Sequence, residues 1–178
     1  MIRLFTAIAI PRDLAEDLVP RQYAIEGAKW RPVEAFHVTL RFLGDVSEPV
    51  AADLDEELAR IVAPAFDLRL EGAGHFGEGA DIHAVWAGVA DEPALKRLQK
   101  ANEAAARHAG LKPETRLYTP HLTLAYLKRS PVAEVAAWIQ GHNLLRSPPF
   151  RVDRFGLYSS WRTSEGSAYR LEAEYPLG

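Results

Sequence analysis

Two stretches of this 178-residue chain place a histidine two positions before a threonine inside an otherwise apolar run: FHVTLRFL, residues 36–43, and TPHLTLAYL, residues 119–127. Side chains at i and i+2 of an extended strand project to the same face, so His37 sits with Thr39 and His121 with Thr123. Two imidazoles around one small group suit general acid–base catalysis. A reference pKa of ~6.5 lets one ring take a proton while the other gives one near neutral pH. The hydroxyl beside each ring can donate to the oxygens of a phosphate as charge shifts during displacement. On the same alternation Arg41 joins the face of His37 and Thr39, where it would add a fixed positive charge. Phe42 falls on the opposite face, as does Tyr126 relative to His121, so that Tyr126 is expected in the core although its ring could stack on a base.

One His-x-Thr pair in a strand is ordinarily structural. Two copies with matching neighbours, Val38 with Leu122, Leu40 with Leu124 and Leu43 with Leu127, favour a shared chemical role. Only Arg41 against Ala125 differs in kind. Metal ligation is the competing reading, since histidine is a frequent ligand. Neither copy, however, carries a second histidine at ligand spacing, nor a carboxylate within the four-residue motif. No metal or other cofactor is expected.

These motifs need strands to hold them. β-branched and aromatic runs bounded by Gly, Pro or Ser predict strands over 3–10, 36–43, 66–71, 82–89, 118–127, 150–159 and 169–175. Helical periodicity falls between them. Val50, Leu54, Leu58 and Ile61 form one stripe after Ser47 and Pro49, and Leu95 and Leu98 face inward after Asp91 and Pro93. Ser130 and Pro131 open a further helix with Val132, Val135, Ala136 and Ile139 inward, and a first helix from about Asp13 should break or kink at Pro20. The order is that of an α+β protein. Because each motif is followed by a Ser/Pro-started helix, the chain reads as two related lobes packed as one unit over 1–178, each supplying one motif (37–40 and 121–124).

The other polar landmarks read as structural. The stretch GAGHFGEGAD, residues 72–81, lacks the GK[ST] of a phosphate loop and precedes a strand, so it reads as a flexible connection carrying His75. His108 and His142 suit helix C-termini at the surface, and His83 reads as a structural histidine within a strand. Trp30 and Trp161 flank loops and could line a cleft.

Composition narrows the class. A net charge of −3 argues against coating long nucleic acid, while leaving room for a local positive pocket. Zero cysteines exclude disulfides and thiol nucleophiles and fit a reducing compartment, with cytoplasm the default. The seven-residue apolar run 4–10 is too short for a membrane span, and a soluble protein is expected.

The HVTL and HLTL segments resemble the paired H-x-T-x signatures of the 2H phosphoesterases, and the chain is most similar to the RNA 2′,3′-cyclic phosphodiesterase (2′-5′ RNA ligase) type. The likeness extends through RLFTAIAIP, KWRPVEAFHVTLRFLGDV, VWAGV, FGLYSS and YRLEAEYPL, nearly the whole chain. It implies a bilobal α+β fold with two antiparallel sheets lining a cleft. It also implies metal-independent hydrolysis of a terminal 2′,3′-cyclic phosphate to a 2′-phosphate, with reversible 2′-5′ ligation. RNA ends or short oligonucleotides would be the partners of a monomer. By resemblance His37 is the proton donor and His121 the acceptor. Where family members often carry an arginine after the second motif, Ala125 and Tyr126 stand here. The alternative reading is a binding module for phosphorylated RNA ends.

Overall fold

The computed structural model describes residues 1–164 and 166–178. The chain opens with β1 (Ile2–Ala9) and α1 (Arg12–Leu18). Pro20 has no amide to continue the helix, and the chain passes instead into a 3₁₀ turn over Val19–Arg21. Next come β2 (Ala28–Trp30), β3 (His37–Val46), α2 (Glu48–Ala59), β4 (Phe66–Leu68) and β5 (Leu70–Phe76). They are followed by β6 (Ala84–Val89), α3 (Pro93–His108), β7 (His121–Leu127), α4 (Val132–His142), β8 (Phe150–Val152), β9 (Arg154–Thr163) and β10 (Gly166–Pro176).

The strands form two four-stranded sheets, ordered β10-β9-β1-β3 and β2-β7-β6-β5, beside a small β4-β8 pair. All recorded pairings are antiparallel. The expected α+β class, with one motif strand in each large sheet, therefore holds. Helices α2 and α3 pack together, α3 lies against β3, and α4 lies against β5. One apolar cluster runs from Leu4 and Ile8 through Val38 and Leu40 to Val85, Leu122 and Leu124, so both sheets close on a common core. None of the described helices is long and apolar enough to cross a membrane.

Several sequence expectations need correction. The run over 66–71 splits into β4 and β5, and 150–159 splits into β8 and β9. Much of 72–81 is strand, because β5 continues to Phe76. There Gly74 meets a neighbour that leaves no room for a side chain, since a Cβ would fall 2.4 Å from Cη2 of Trp86. Ser47 caps α2 as expected, its hydroxyl accepting from the Val50 amide at 3.4 Å, whereas the Ser130 hydroxyl is buried without a partner and Pro131 stands at the cap of α4.

The largest departure lies within the motif strands. Along β3, Arg41 pairs with Thr6 and Thr39 with Ala7, leaving Leu40 as an extra residue. Along β7, Ala125 pairs with Val85 and Thr123 with Trp86, leaving Leu124 extra. A bulge of one residue sends the side chains after it to the other face, and on β3 a second bulge at Leu43, between the Phe5–Phe42 and Leu4–Gly44 pairs, turns them back. Both strands accordingly share one burial sequence, in which Leu40 and Arg41 are buried before an exposed Phe42, and Leu124 and Ala125 before an exposed Tyr126. Each extra leucine is fully buried, an anchor contributing about 1.5–3 kcal/mol to holding the register.

Candidate active site

A cavity of about 560 Å³ opens over the first sheet, and His37, Thr39, His121 and Thr123 all line it. The two motif strands approach one another, and the Tyr118 hydroxyl donates to the Thr39 carbonyl at 2.8 Å, tying the entry to β7 onto β3. Pro120 cannot donate to a ladder, and β7 begins at His121 itself.

Aromatic rings fix both imidazoles. Phe5 stacks on His37 at 4.9 Å between centroids while Tyr169 meets it edge-on at 5.1 Å. Phe76 and Trp86 flank His121 at 4.7 and 5.8 Å. The His121 Nδ1 lies 2.7 Å from the Thr119 carbonyl. In the neutral ring Nδ1–H donates there, which leaves the Nε2 lone pair free to accept a proton. The backbone of Ala35, again two residues back, favours the charged form of His37.

Burial drives the electrostatics. Desolvation first, then the positive charge of Arg31 and the neighbouring His121, together lower the His37 pKa to about 4, with the Ala35 backbone opposing. Desolvation also lowers the His121 pKa, against the Thr119 bond. Both rings are therefore neutral bases at pH 7 until an anion arrives between them. Such an anion favours the imidazolium and offsets the push from Arg31.

Arg31 is the site residue that sequence reasoning missed. It is only 4% exposed, and its guanidinium lies over the rings of Tyr126 and Tyr169 at 5.4 and 5.5 Å. Its Nη2 donates to the Ser167 carbonyl at 3.0 Å and its backbone amide to the Leu124 carbonyl at 2.8 Å. The Gln22 side chain donates to the Arg31 carbonyl at 2.9 Å. A cation held this firmly on a cavity wall is a preorganised anion contact. Its only signal in the sequence is a lone arginine between Trp30 and Pro32, without periodicity.

Arg41 does not reach the cavity, contrary to expectation. The bulge turns its side chain toward α3, where it pairs with Glu103 and donates to the Phe42 carbonyl and, at 2.6 Å, to the Lys112 carbonyl. Phe42 and Tyr126, expected in the core, are exposed on the cavity wall instead. Trp161 lines the cavity, whereas Trp30 leans on Trp138 at 6.1 Å and borders a neighbouring hollow. His142 is buried against Trp138, its Nδ1 2.6 Å from the Trp138 carbonyl, and does not lie at the surface. His83 precedes β6 and is exposed, and His75 belongs to β5. Among the described residues no three His, Cys, Asp or Glu side chains converge to hold a metal ion.

Comparison with known proteins gives the family and the fold. The model of the 2′-5′ RNA ligase superfamily matches residues 10–163. An RNA 2′,3′-cyclic phosphodiesterase of Thermotoga maritima is 31% identical over 163 residues, 89% of this chain and 83% of that one. Another, from Aeropyrum pernix, is 42% identical over 96 residues, 53% of this chain and 54% of that one. Escherichia coli LigT complexed with 3′-AMP has a TM-score of 0.78 at 26% identity, covering 99% of this chain and 98% of that chain. The crystal structure of a phosphoesterase shares the fold with a TM-score of 0.83 at 24% identity, again over 99% and 98%. The matched span takes in both histidine strands, the bulged leucines and Arg31, and by that match the chain belongs to the 2′-5′ RNA ligase superfamily.

Proposed function

We propose that this protein hydrolyses the terminal 2′,3′-cyclic phosphate of RNA to a 2′-phosphate, with its two histidines as the acid and the base. The observation that carries the reading is the pair of half-buried imidazoles on one cavity, each pushed toward its neutral form by desolvation and each followed by a threonine on the same wall, with His121 held to the Thr119 carbonyl. His121 Nε2 takes a proton from water as the water oxygen bonds to phosphorus. The P–O3′ bond breaks, and the protonated His37 ring gives its proton to O3′. The P–O2′ bond stays, so the products are a 2′-phosphate and a free 3′-hydroxyl. Burial beside Arg31 makes a His37 imidazolium a stronger acid than a solvated one, which suits it to the departing oxygen.

Thr39 and Thr123 hold the non-bridging oxygens, and Arg31 supplies the fixed positive charge first sought at Arg41. Tyr126 orients that guanidinium and borders the substrate. Two imidazoles provide both proton transfers without a metal. An RNA 5′-hydroxyl in place of water would give 2′-5′ ligation through the same site. A pure binding module would gain nothing from two titratable rings, since Arg31 alone offers a steady charge. Both motifs lie on one chain, so a single bilobal copy over 1–178 is enough for the reaction, which supports a monomer. The absence of cysteine suits a cytoplasmic location.

The test is chromatography of products from an oligonucleotide ending in 2′,3′-cyclic phosphate, with and without chelator. We expect a 2′-phosphate in both cases. His37→Ala and His121→Ala should each lower turnover by ~10²–10⁴-fold while remaining folded. A 3′-phosphate product, chelator-sensitive turnover, or near-normal rates in either variant would overturn the assignment.

A further inference from the structure

The cavity does not end at the imidazoles. His37, Thr39, Phe42 and Asp45 all line it along β3, while the register with β1 sets Phe5 against Phe42 and Arg3 against Asp45. At a strand rise of ~3.3 Å per residue, shortened by the bulges, this floor runs roughly 20 Å. Stacked nucleotides recur about every 3.4 Å along one strand. The floor is thus long enough for several nucleotides in a row.

A cyclic phosphate is the last unit of its strand, so the preceding nucleotides must leave the reacting centre along one route. One exit leads past Arg31 into a neighbouring hollow of about 550 Å³. Glu34, paired with Arg12 at 3.3 Å, and Arg31, already donating to the Ser167 carbonyl, border it, so it offers an incoming phosphate no uncommitted cation. The other exit crosses Phe42, whose ring is 40% exposed with the Arg3 guanidinium 5.3 Å above it. Arg162 lines the same cavity. Among the described residues neither Arg3 nor Arg162 has an ion-pair partner, although Asp45 stands across the pairing from Arg3. An exposed ring beside uncommitted cations on a long floor is how proteins hold single strands, by stacking and by phosphate contact.

We propose that Arg3, Phe42 and Arg162 form an upstream subsite for the nucleotides that precede the cyclic phosphate, so that the substrate is a single-stranded oligonucleotide end in preference to a cyclic mononucleotide. This rests on the reaction proposed above. Phe42 offers its ring to a base, and the two arginines offer charge to the phosphates on its 5′ side.

The test compares hydrolysis of a 2′,3′-cyclic mononucleotide with that of a trinucleotide ending in the same cyclic nucleotide, across a series of salt concentrations. For the wild type, kcat/KM should be about tenfold or more higher on the trinucleotide. The Arg3→Ala/Arg162→Ala double variant should lose most of that preference through KM. The slope of log KM against log salt on the trinucleotide should fall by about 1.4, as expected for two lost phosphate contacts on a single strand. Phe42→Ala should reduce the preference and leave the salt slope as it was. Equal kcat/KM on both substrates in the wild type, or a double variant that keeps the preference, would remove the subsite and leave the reaction standing. If the wild type hydrolyses neither substrate, the reaction itself is wrong and the subsite falls with it.

Discussion

Replacing Arg41 by alanine separates a structural arginine from a catalytic one. Its side chain is 8% exposed and pairs with Glu103, itself 19% exposed, while also donating to the carbonyls of Phe42 and Lys112. Glu103 in turn accepts the Glu114 amide at 3.0 Å, so the group ties β3 to α3 and to the segment before β7. Removing one partner of a buried pair strands the other's charge, at a cost of ~3–5 kcal/mol. Glu103 keeps some contact with water, which places the loss near about 3 kcal/mol. At ~2–4 °C per kcal/mol for a chain of this size, Tm should drop by about 6–12 °C. Adding Glu103→Gln should recover about 1–2 kcal/mol, because the stranded charge is gone while an amide oxygen still accepts from Glu114. Below the melting range, turnover of a cyclic-phosphate substrate by Arg41→Ala should stay within about threefold of wild type. An unchanged Tm with a hundredfold loss of kcat/KM would mean that Arg41 reaches the substrate, and the bulge argument would be wrong.

His37 should make stability depend on pH. Its folded pKa near 4 lies below the unfolded ~6.5, so the unfolded chain binds the extra proton between those values. The contribution is complete above about pH 6.5 and is lost as pH falls toward 4, by up to about 3 kcal/mol; the urea midpoint of the wild type should fall relative to that of His37→Gln over that range, and parallel curves would contradict it. Arg31→Met should lower kcat/KM by about 10–100-fold and raise the His37 midpoint seen by NMR, whereas an unmoved midpoint would place the guanidinium elsewhere. Gly74→Ala would drive a Cβ into the Trp86 ring beside His121, so we expect about 1–3 kcal/mol of destabilisation together with reduced kcat, and wild-type values for both would show that β5 yields freely.

Much of the site is legible in the sequence because histidine and threonine precede the bulge in each strand, where strict alternation still holds. It fails two residues later. Nothing in HVTLRFL or HLTLAYL marks the fourth residue as an insertion, since Leu40 and Leu124 look like ordinary core positions and are as buried as their neighbours. The usable signal was the mismatch of Arg41 with Ala125. A position that holds alanine in one copy and arginine in the other is a slot whose neighbours differ, and both residues prove buried. Arg31 was out of reach for another reason. Its role depends on β10, which brings Ser167 and Tyr169 to it from far along the chain.

The neighbours of that slot explain the mismatch. β7 is an interior strand, flanked by β6 and by β2, with Ala125 paired to Trp30, so its backbone is satisfied by a ladder and a methyl group suffices. β3 is an edge strand paired only with β1 among the described strands, and an edge leaves main-chain groups to be satisfied otherwise. Arg41 fills that place, its guanidinium donating to the carbonyls of Phe42 and Lys112 while Glu103 balances its charge. The halves therefore differ in what seals the bulge and agree in what the bulge presents. The aromatic residue five beyond each histidine turns to the cavity beneath an arginine, Phe42 under Arg3 at 5.3 Å and Tyr126 under Arg31 at 5.4 Å. The duplication thus extends past the histidines to a cation over a ring in each half. In the proposed reaction the copy with the buried arginine, Arg31, would face the reacting phosphate and the copy with the exposed one, Arg3, the strand that carries it.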